Sequence, residues 1–334
     1  MLFNKNTKIS KINDNSLEIA KNLITNNELV AFPTETVYGL GGLATSDVSI
    51  EKIYQVKGRP SDNPLIVHVN KDYDINNLVY VDNDYVYKLI DAFLPGPLTM
   101  VFRSKGKVSK LVSCGLDTLA IRVPSSESAQ AFLKYVNLPI AAPSANVSKH
   151  TSPVTAEHVF NDLNGRIDLI LDGGKCQGGI ESTVLDVTSK TPRILRSGLI
   201  TYKMIKDVVG CCEYANNNEG DKVRSPGVKY THYTPKCPTI LFSRNETLKA
   251  QEFYDNLVSQ GKKPYFLCDD VIYKNLNGNQ LSLGTTGEEI ASNLYFKLLE
   301  GEKIADYIVA IEVNTGTELD VGIMNRLSKA CKNK

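Results

Sequence analysis

Short apolar runs alternate with helix-forming segments over the first 200 residues, and this alternation constrains the fold more than any other feature of the sequence. Leu17, Ala20, Leu23 and Ile24 have helical spacing, and the apolar run 29–32 that follows has the length of a buried strand. Such alternation is typical of an α/β layer fold. Because the predicted strands outnumber the helices, a mixed sheet is favoured over a purely parallel one.

The first 200 residues contain eight predicted strands and a further helix around Ile50, Ile53 and Tyr54 that ends at Gly58. The predicted strands cover residues 29–32, 65–69, 98–102, 119–123, 140–142, 169–171, 183–187 and 194–195.

A chain of 334 residues exceeds what one hydrophobic core usually organises, so two domains are expected. The predicted division is a first domain at 13–200, a linker at 201–236 and a second domain at 237–334. In the second, apolar runs at 239–242, 264–268 and 307–311 alternate with helical patterns at 248–257, 290–299 and 324–330. This order predicts a smaller, Rossmann-like α/β domain with a parallel sheet.

Composition excludes several classes of protein. The formal net charge of +1 gives no global attraction to nucleic acid or to an anionic membrane. No apolar run approaches the length of a membrane span, and the N-terminal residues lack the apolar segment of a secretory signal. Seven cysteines without a CxxC pair indicate reduced thiols in a cytoplasmic protein rather than a disulfide framework or a zinc site.

The loop 33–42 follows the first predicted strand and is rich in hydroxyl groups and glycine. Strand ends that open into such loops are where α/β sheets bind ligands, although an ordinary turn explains the loop equally well. Residues 39–44 match the pattern G-x-G-x-x-A, but six residues separate the strand from the first glycine and no acidic residue follows at the required distance. A dinucleotide site is therefore excluded.

Cationic side chains lie at or beside several predicted strand ends. Lys57 and Arg59 end a predicted helix, where a favourable interaction with the helix dipole is the simpler explanation. In the strand 119–123, Arg122 shares a face with small residues, so it needs an anionic partner, either a protein carboxylate or a ligand. The sequence alone does not distinguish a protein carboxylate from a bound ligand.

Small and hydroxyl-bearing residues at 140–146 and 178–184, followed by Arg196, complete the pattern. Gathered at one edge of the sheet, these groups would bind a polyphosphate and a carboxylate. The sequence has no P-loop, no nucleophile elbow and no H-E-x-x-H motif, and its four histidines lack metal-ligand spacing. His68 in a predicted strand is more often a structural than a catalytic residue.

Six motifs in order over residues 13–200 resemble those of the YrdC-type threonylcarbamoyl-AMP synthases. They are PTETVYGLG, KGRP, AIRVP, APSAN, ESTVLD and LRSG. Residues 225–235 resemble the linker of the long, two-domain form of this family, and residues 321–330 resemble its C-terminal domain. The resemblance implies a YrdC-like twisted mixed sheet with flanking helices. It also implies synthesis of threonylcarbamoyl-AMP and pyrophosphate from L-threonine, bicarbonate or CO2, and ATP with Mg²⁺.

The resemblance also implies which residues bind the substrates, with no side-chain nucleophile and no metal ligand from the protein. Threonine would be bound by Thr36, His68, Arg122, Ala142 and Ser182. ATP would be bound by Lys57, Arg59, Asn63, Thr118, Ser144, Ser152, Arg196 and His232. The sequence departs from the family pattern near Ser152, where Lys149 replaces a glycine and Val154 a threonine.

The family implies a downstream partner, a transferase complex that passes the threonylcarbamoyl group to a tRNA adenosine beside the anticodon. Within the linker, Lys229 and Tyr230 are predicted to belong to a lid over the nucleotide. Two other functions compete with this one. One is an RNA-binding module without chemistry. The other is the related carbamoyl transfer of hydrogenase maturation, whose cysteine-rich zinc modules and acylphosphatase domain this sequence lacks.

Overall fold

The computed structural model describes residues 4–215 and 233–331, which form two sheets with flanking helices. The strands of the first sheet are β1 (Lys8–Lys11), β2 (Val30–Phe32), β3 (Gly39–Leu43), β4 (Ile66–His68), β5 (Val79–Tyr80), β6 (Leu98–Ser104), β7 (Thr118–Arg122), β8 (Ile140–Ala141), β9 (Leu169–Asp172), β10 (Thr183–Asp186), β11 (Arg193–Arg196) and β12 (Glu213–Tyr214). The helices of this part are α1 (Asp14–Thr25), α2 (Asp47–Lys57), α3 (Tyr85–Phe93), α4 (Lys110–Ser113), α5 (Glu127–Val136), α6 (Ala156–Leu163) and α7 (Tyr202–Val209).

Among the described residues the first sheet is mixed, as predicted. Its strand order is β1-β9-β2-β3-β8-β4-β7-β6-β10-β11-β12, with β5 paired to β6. The central pair β4 and β7 is parallel and places His68 opposite Arg122, while β8 runs antiparallel to β4. The register therefore brings two predicted site residues together on adjacent strands.

The second sheet lies in the C-terminal part and is parallel throughout the described residues, which confirms the predicted fold class. Its strands are β13 (Thr239–Phe242), β14 (Pro264–Cys268), β15 (Gln280–Ser282) and β16 (Tyr307–Ile311), in the order β13-β16-β14-β15. The helices are α8 (Thr247–Ser259), α9 (Asp270–Tyr273), α10 (Gly287–Ile304) and α11 (Leu319–Ala330). No helix in the described part of the chain is both long and apolar enough to cross a membrane.

The loop predicted at 33–42 is shorter than expected, because Gly39–Leu43 is strand β3 between β2 and β8. This strand could not be predicted from the sequence, since three of its five residues are glycines, which have low strand propensity. The close packing of the neighbours requires them. A Cβ on Gly41 would lie 2.9 Å from Ile140 Cγ2 and 3.0 Å from Phe32 Cε1.

The predicted linker 201–236 also begins with regular structure. Helix α7 covers Tyr202–Val209, and β12 pairs with β11 at the edge of the first sheet. The first structural unit therefore continues to Tyr214. The apolar face of α7 is short, with Ile205 as its one fully buried side chain, which explains why the pattern is weak.

The hydrophobic core is continuous between the two sheets. One cluster of buried side chains includes Ile121 and Ile180 of the first unit together with Tyr295 and Ile323 of the second. Helices α1 and α5 cover the opposite face of the first sheet around Phe32 and Phe132. The C-terminal domain is thus packed directly on the first sheet, next to strand ends that carry predicted site residues.

Candidate functional site

A cavity with about 670 Å³ of space, part of it open to solvent, lies against the central strands of the first sheet. Residues at strand ends of the first sheet and in the loops beside them line it, together with Arg59, which follows helix α2. The lining residues are Thr34, Val37, Gly39, Arg59, Pro64, Leu65, Ile66, His68, Arg122, Ala142, Pro143, Ser144, Asn146, His150, Ser152, Glu181, Ser182, Arg196 and Tyr233.

Arg122 is the most buried cation of the cavity wall, with 4% of the residue exposed. Its Nη2 lies 2.8 Å from Glu35 Oε1 and 3.5 Å from Thr34 Oγ1. Its Nε is buried and has no hydrogen-bond partner. A protein carboxylate thus satisfies part of the guanidinium, which is one of the two sequence explanations of Arg122, and Nε is left as a donor for a second anion.

His68 lies beside Arg122 and is a neutral imidazole. Burial, followed by the charge of Arg122, lowers the pKa of His68 to about 3. Its Nδ1 lies 3.2 Å from the carbonyl oxygen of Ile66, which can only accept, so Nδ1 carries the proton. Nε2 is therefore an acceptor, able to take a hydrogen bond from an ammonium or a hydroxyl group.

The hydroxyl-rich loop after β2 is closed by its own hydrogen bonds. Thr34 Oγ1 donates to the carbonyl oxygen of Val37 at 2.7 Å and lies 2.9 Å from Thr36 Oγ1. Thr36 is fully buried and is not part of the cavity wall, whereas Thr34 is. The sequence singled out Thr36, and the structure places it behind Thr34.

Lys57 is placed differently from the prediction of a phosphate-binding side chain. It is 1% exposed, and its ammonium donates to the carbonyl oxygens of Ser144 and Asn146. Burial, with a contribution from Arg59, holds the pKa of Lys57 well below its usual value. The sequence could not identify these partners, because they lie 87 and 89 residues further along the chain. In this structure Lys57 fixes the loop that presents Ser144 to the cavity.

Arg59 and Asn63 lie next to each other where the chain leaves helix α2. Arg59 lines the cavity and donates from Nε and Nη2 to the carbonyl oxygen of Asn63, at 3.3 and 3.2 Å. Asn63 is 1% exposed, and neither Oδ1 nor Nδ2 of its side chain has a partner. A buried amide without partners is costly and is the kind of group that a polar ligand satisfies.

Ser182 and Arg196 belong to neighbouring strand ends of β10 and β11. Arg196 donates from Nε and Nη2 to the carbonyl oxygen of Ser182, at 3.1 and 2.9 Å. Ser182 Oγ lies 2.8 Å from Thr99 Oγ1. These bonds hold one hydroxyl group and one guanidinium side by side on the cavity wall.

Glu181 is a buried carboxylate of the cavity wall that the sequence did not single out, although it lies inside the motif ESTVLD. It accepts hydrogen bonds from Ser152 Oγ at 2.6 Å and from Tyr295 at 2.8 Å, and Arg326 Nε lies 3.2 Å away. Burial would raise the pKa of Glu181, but Arg326 and Arg196 together with these hydrogen bonds lower it to about 2. Glu181 is therefore ionised.

The cavity also has a wall at the junction of the two domains. His150 Nδ1 lies 2.7 Å from Asp162, and Nε2 lies 2.9 Å from Glu302 of α10. No sequence signal pointed to His150, whose two partners are distant in the chain.

The structure thus brings eight of the predicted binding residues to one cavity. They are His68, Arg122, Ala142, Ser182, Arg59, Ser144, Ser152 and Arg196. Thr36, Lys57 and Asn63 lie buried off the cavity wall, and Thr118 is half-buried at the opposite end of β7. Lys229, Tyr230 and His232 fall outside the described residues. Within 4–215 and 233–331, no group of three His, Cys, Asp or Glu side chains could hold a metal ion.

Two family profiles match the chain. The profile of the Sua5/YciO/YrdC family, described as "Telomere recombination", matches residues 22–198. The profile described as "Threonylcarbamoyl-AMP synthase, C-terminal domain" matches residues 200–331. Together they span almost the whole chain.

Two similar proteins are named threonylcarbamoyl-AMP synthase. That of Pyrococcus abyssi is 36% identical over 332 residues, covering 96% of this chain and 95% of the relative. That of Bacillus subtilis is 40% identical over 331 residues, covering 95% and 93%.

Two solved structures share the fold of this chain, one over nearly its whole length and one over about half of it. The crystal structure of P. abyssi Sua5 complexed with L-threonine has a TM-score of 0.89 and 36% identity, and the match covers 97% of this chain and 96% of that one. Escherichia coli YciO, at 21% identity and a TM-score of 0.52, shares the fold over 58% of this chain.

Proposed function

Because the chain belongs to the threonylcarbamoyl-AMP synthase family, in the form that carries the C-terminal domain, we propose that it makes threonylcarbamoyl-AMP and pyrophosphate from L-threonine, bicarbonate or CO2, and ATP. The observation that carries the proposal is the guanidinium of Arg122. It is buried in the cavity beside a neutral histidine and is only partly satisfied by Glu35.

The cavity wall around Arg122 suits an amino acid. Arg122 would pair with the carboxylate of threonine, and Nε2 of His68 would accept from its ammonium or hydroxyl group. The small side chain of Ala142 leaves room for the ligand, and Ser182 adds a hydroxyl group. The complex of P. abyssi Sua5 with L-threonine, which shares this fold at 36% identity, supports the assignment.

The remaining wall suits a nucleotide. Arg59 and Arg196 would neutralise phosphate charge, and Ser144 and Ser152 would contact the nucleotide directly. Lys57 would act from behind by fixing the loop of Ser144.

The chemistry needs no nucleophile from the protein, because the substrates supply their own. The neutral amine of threonine attacks the carbon of CO2, one C=O π bond opens to a C–O⁻, and the amine loses a proton to solvent, which gives a carbamate. Bicarbonate would give the same carbamate after it takes up a proton and loses water. A carbamate oxygen then attacks the α-phosphorus of ATP, and pyrophosphate leaves with the electrons of the broken P–O bond. The enzyme would thus be a nucleotidyltransferase that aligns its substrates and stabilises charge.

The one carboxylate of the described cavity wall, Glu181, is already engaged by Ser152, Tyr295 and Arg326, so Mg²⁺ would enter as a complex with the ATP phosphates. Bound there, it would neutralise phosphate charge.

We place this reaction in the cytoplasm, since all seven cysteines are free thiols, as a reducing compartment allows. The product would serve a transferase complex that modifies a tRNA adenosine beside the anticodon.

The proposal is tested by pyrophosphate release from ATP, measured with all three substrates and with each omitted in turn. Release is expected only in the complete mixture. Release without threonine, or none at all under conditions where ATP binds, would contradict it and favour a nucleotide-binding or RNA-binding module. Valine, an isostere without the hydroxyl, is the matched substrate control and should react far more slowly, because it leaves buried polar groups unpaired.

A further inference from the structure

A buried hydrogen-bond network joins the C-terminal domain to the nucleotide wall of the cavity. Tyr295 of α10 and Arg326 of α11 are both fully buried, and both contact the carboxylate of Glu181 through Oε2. The other oxygen of that carboxylate, Oε1, accepts from Ser152 at 2.6 Å. One carboxylate therefore connects two helices of the C-terminal domain to a hydroxyl group of the cavity wall.

Arg326 of α11 also fixes the backbone on which Ser182 and Arg196 lie. Arg326 Nη1 donates to the carbonyl oxygen of Ser197, and its Nη2 lies 3.4 Å from the carbonyl oxygen of Glu181. Arg326 thus contacts the chain directly before Ser182 and directly after Arg196.

Helix α10 approaches this loop more closely than a side chain would permit. Gly179 has φ +71°, and a Cβ there would lie 2.2 Å from the carbonyl oxygen of Ala291. The loop and the helix are in backbone contact, so the position of Glu181 depends on α10.

We propose that Tyr295 and Arg326 are positioning residues of the nucleotide site: they fix Glu181, and Glu181 orients the Ser152 hydroxyl so that its oxygen accepts a hydrogen bond from the nucleotide. This inference rests on the proposed function for the identity of the nucleotide as ATP.

The direction of the hydrogen bond between Ser152 and Glu181 determines which ligand group Ser152 can contact. Glu181 is ionised, since Arg326 and its other partners lower its pKa to about 2 against the effect of burial, and an ionised carboxylate only accepts. Ser152 therefore commits its one proton to Glu181 and presents lone pairs to the cavity. Its ligand partner must be a donor, which is a ribose hydroxyl or the adenine amino group and not a phosphate oxygen.

The test uses the full chain with Tyr295→Phe, Arg326→Lys, Ser152→Ala and the double variant Tyr295→Phe/Ser152→Ala. Tyr295→Phe removes one hydroxyl and keeps the ring, which stacks on Tyr233 at 5.3 Å. The matched control is Lys303→Met, which breaks another contact between the domains, the 3.2 Å ion pair with Glu157. The measurements are ATP affinity by calorimetry, KM and kcat for pyrophosphate release, and the melting temperature.

Tyr295→Phe and Ser152→Ala should each weaken ATP binding roughly three- to thirty-fold, and the double variant should be no weaker than the weaker single variant, because both act through one hydrogen bond. Arg326→Lys should weaken ATP binding at least as much, and Lys303→Met should not change it.

If Tyr295→Phe lowers the melting temperature but leaves ATP affinity unchanged, or if the two effects multiply in the double variant, the residues are only structural and the proposal is wrong. A wild-type enzyme that binds ATP without releasing pyrophosphate would refute the proposed function instead. The ATP affinities of the variants, measured by calorimetry, would still test the role of Tyr295 and Arg326.

Discussion

At the scale of single residues, the site depends on polar groups that the protein satisfies only in part. Arg122 has one carboxylate neighbour and a buried Nε without a partner, and Asn63 has a buried amide with none. Leaving such groups unpaired costs about 1–3 kcal/mol each. At Arg122, which lines the cavity, a bound anion would recover this cost. Glu35 holds the guanidinium in place and keeps its charge compensated in the protein without ligand.

Replacement of Arg122 by lysine should raise the KM for threonine at least about thirty-fold, because losing a bidentate carboxylate partner in a buried site costs about 2–5 kcal/mol. An ammonium cannot contact Glu35 and the carboxylate of threonine in the geometry of the guanidinium fork. Threonine dependence of pyrophosphate release measures the effect.

Arg103→Lys is the matched control for this substitution. Arg103 lies on the adjacent strand β6 and forms an exposed ion pair with Asp82. Its replacement should leave the KM for threonine unchanged. Near-normal threonine affinity in Arg122→Lys would show that the guanidinium serves only Glu35.

At the scale of elements, some strands can be predicted from the sequence and others cannot. β14 and β16 were predicted with their observed ends because each is an isolated apolar run. β3 was predicted as loop, since its glycines have no strand preference of their own and only the packing of Phe32 and Ile140 requires them.

Side-chain partners could not be predicted from the sequence either, because they also depend on which distant segments pack together. Eight of the residues that the motifs predicted to bind substrates line one cavity, because strand ends of one sheet meet at one edge. Glu181 was missed because Tyr295 and Arg326 are 114 and 145 residues away in the chain. The buried role of Lys57 was missed because its acceptors are backbone carbonyls, which no side-chain motif encodes.

Gly179→Ala should separate α10 from the loop that carries Glu181. The new Cβ would lie 2.2 Å from Ala291 O and 2.5 Å from Ser292 Cα, and the residue would keep an unfavourable φ of +71°. Overpacking together with the left-handed backbone should cost about 2–4 kcal/mol. Unfolding in urea gives the stability, and the KM for ATP should rise in the same variant.

Gly261→Ala separates the backbone effect from the contact. Gly261 has φ +75°, and nothing lies within 4 Å of a Cβ built there. This substitution should cost only about 1–2 kcal/mol and leave the KM for ATP unchanged. Equal costs at the two positions would mean that α10 adapts to the extra methyl group.

At the scale of the whole molecule, the two domains share one core, and the cavity lies where they meet. His150 belongs to the cavity wall and bridges Asp162 of α6 and Glu302 of α10, with Lys236 within 4.0 Å of both carboxylates. Burial alone would lower the pKa of His150, but hydrogen bonds and charge interactions with Asp162 and Glu302 raise it to about 9. At neutral pH a charged imidazolium therefore bridges Asp162 of the first domain and Glu302 of the second.

This charge makes the stability of the protein depend on pH in a defined direction. The pKa of His150 is higher in the folded protein, at about 9, than its ordinary value of 6.5. Its contribution is thus fully present below pH 6.5 and is lost as the pH rises through 9. The shift corresponds to about 3 kcal/mol as an order of magnitude.

His150→Gln should therefore lower the melting temperature by several degrees at pH 6, and the difference from wild type should shrink between pH 7 and 9.5 and become constant above that range. His158→Gln is the control, since His158 is also buried at the domain junction, against Phe296. Burial lowers the pKa of His158 from its ordinary 6.5 to about 4, so above about pH 7.5 His158 is neutral in both the folded and the unfolded chain. Its replacement should therefore cost the same at every pH from about 7.5 to 10. If the two variants show the same pH dependence above about pH 7.5, the imidazole of His150 is neutral in the folded protein and forms no ion pair with Asp162 or Glu302.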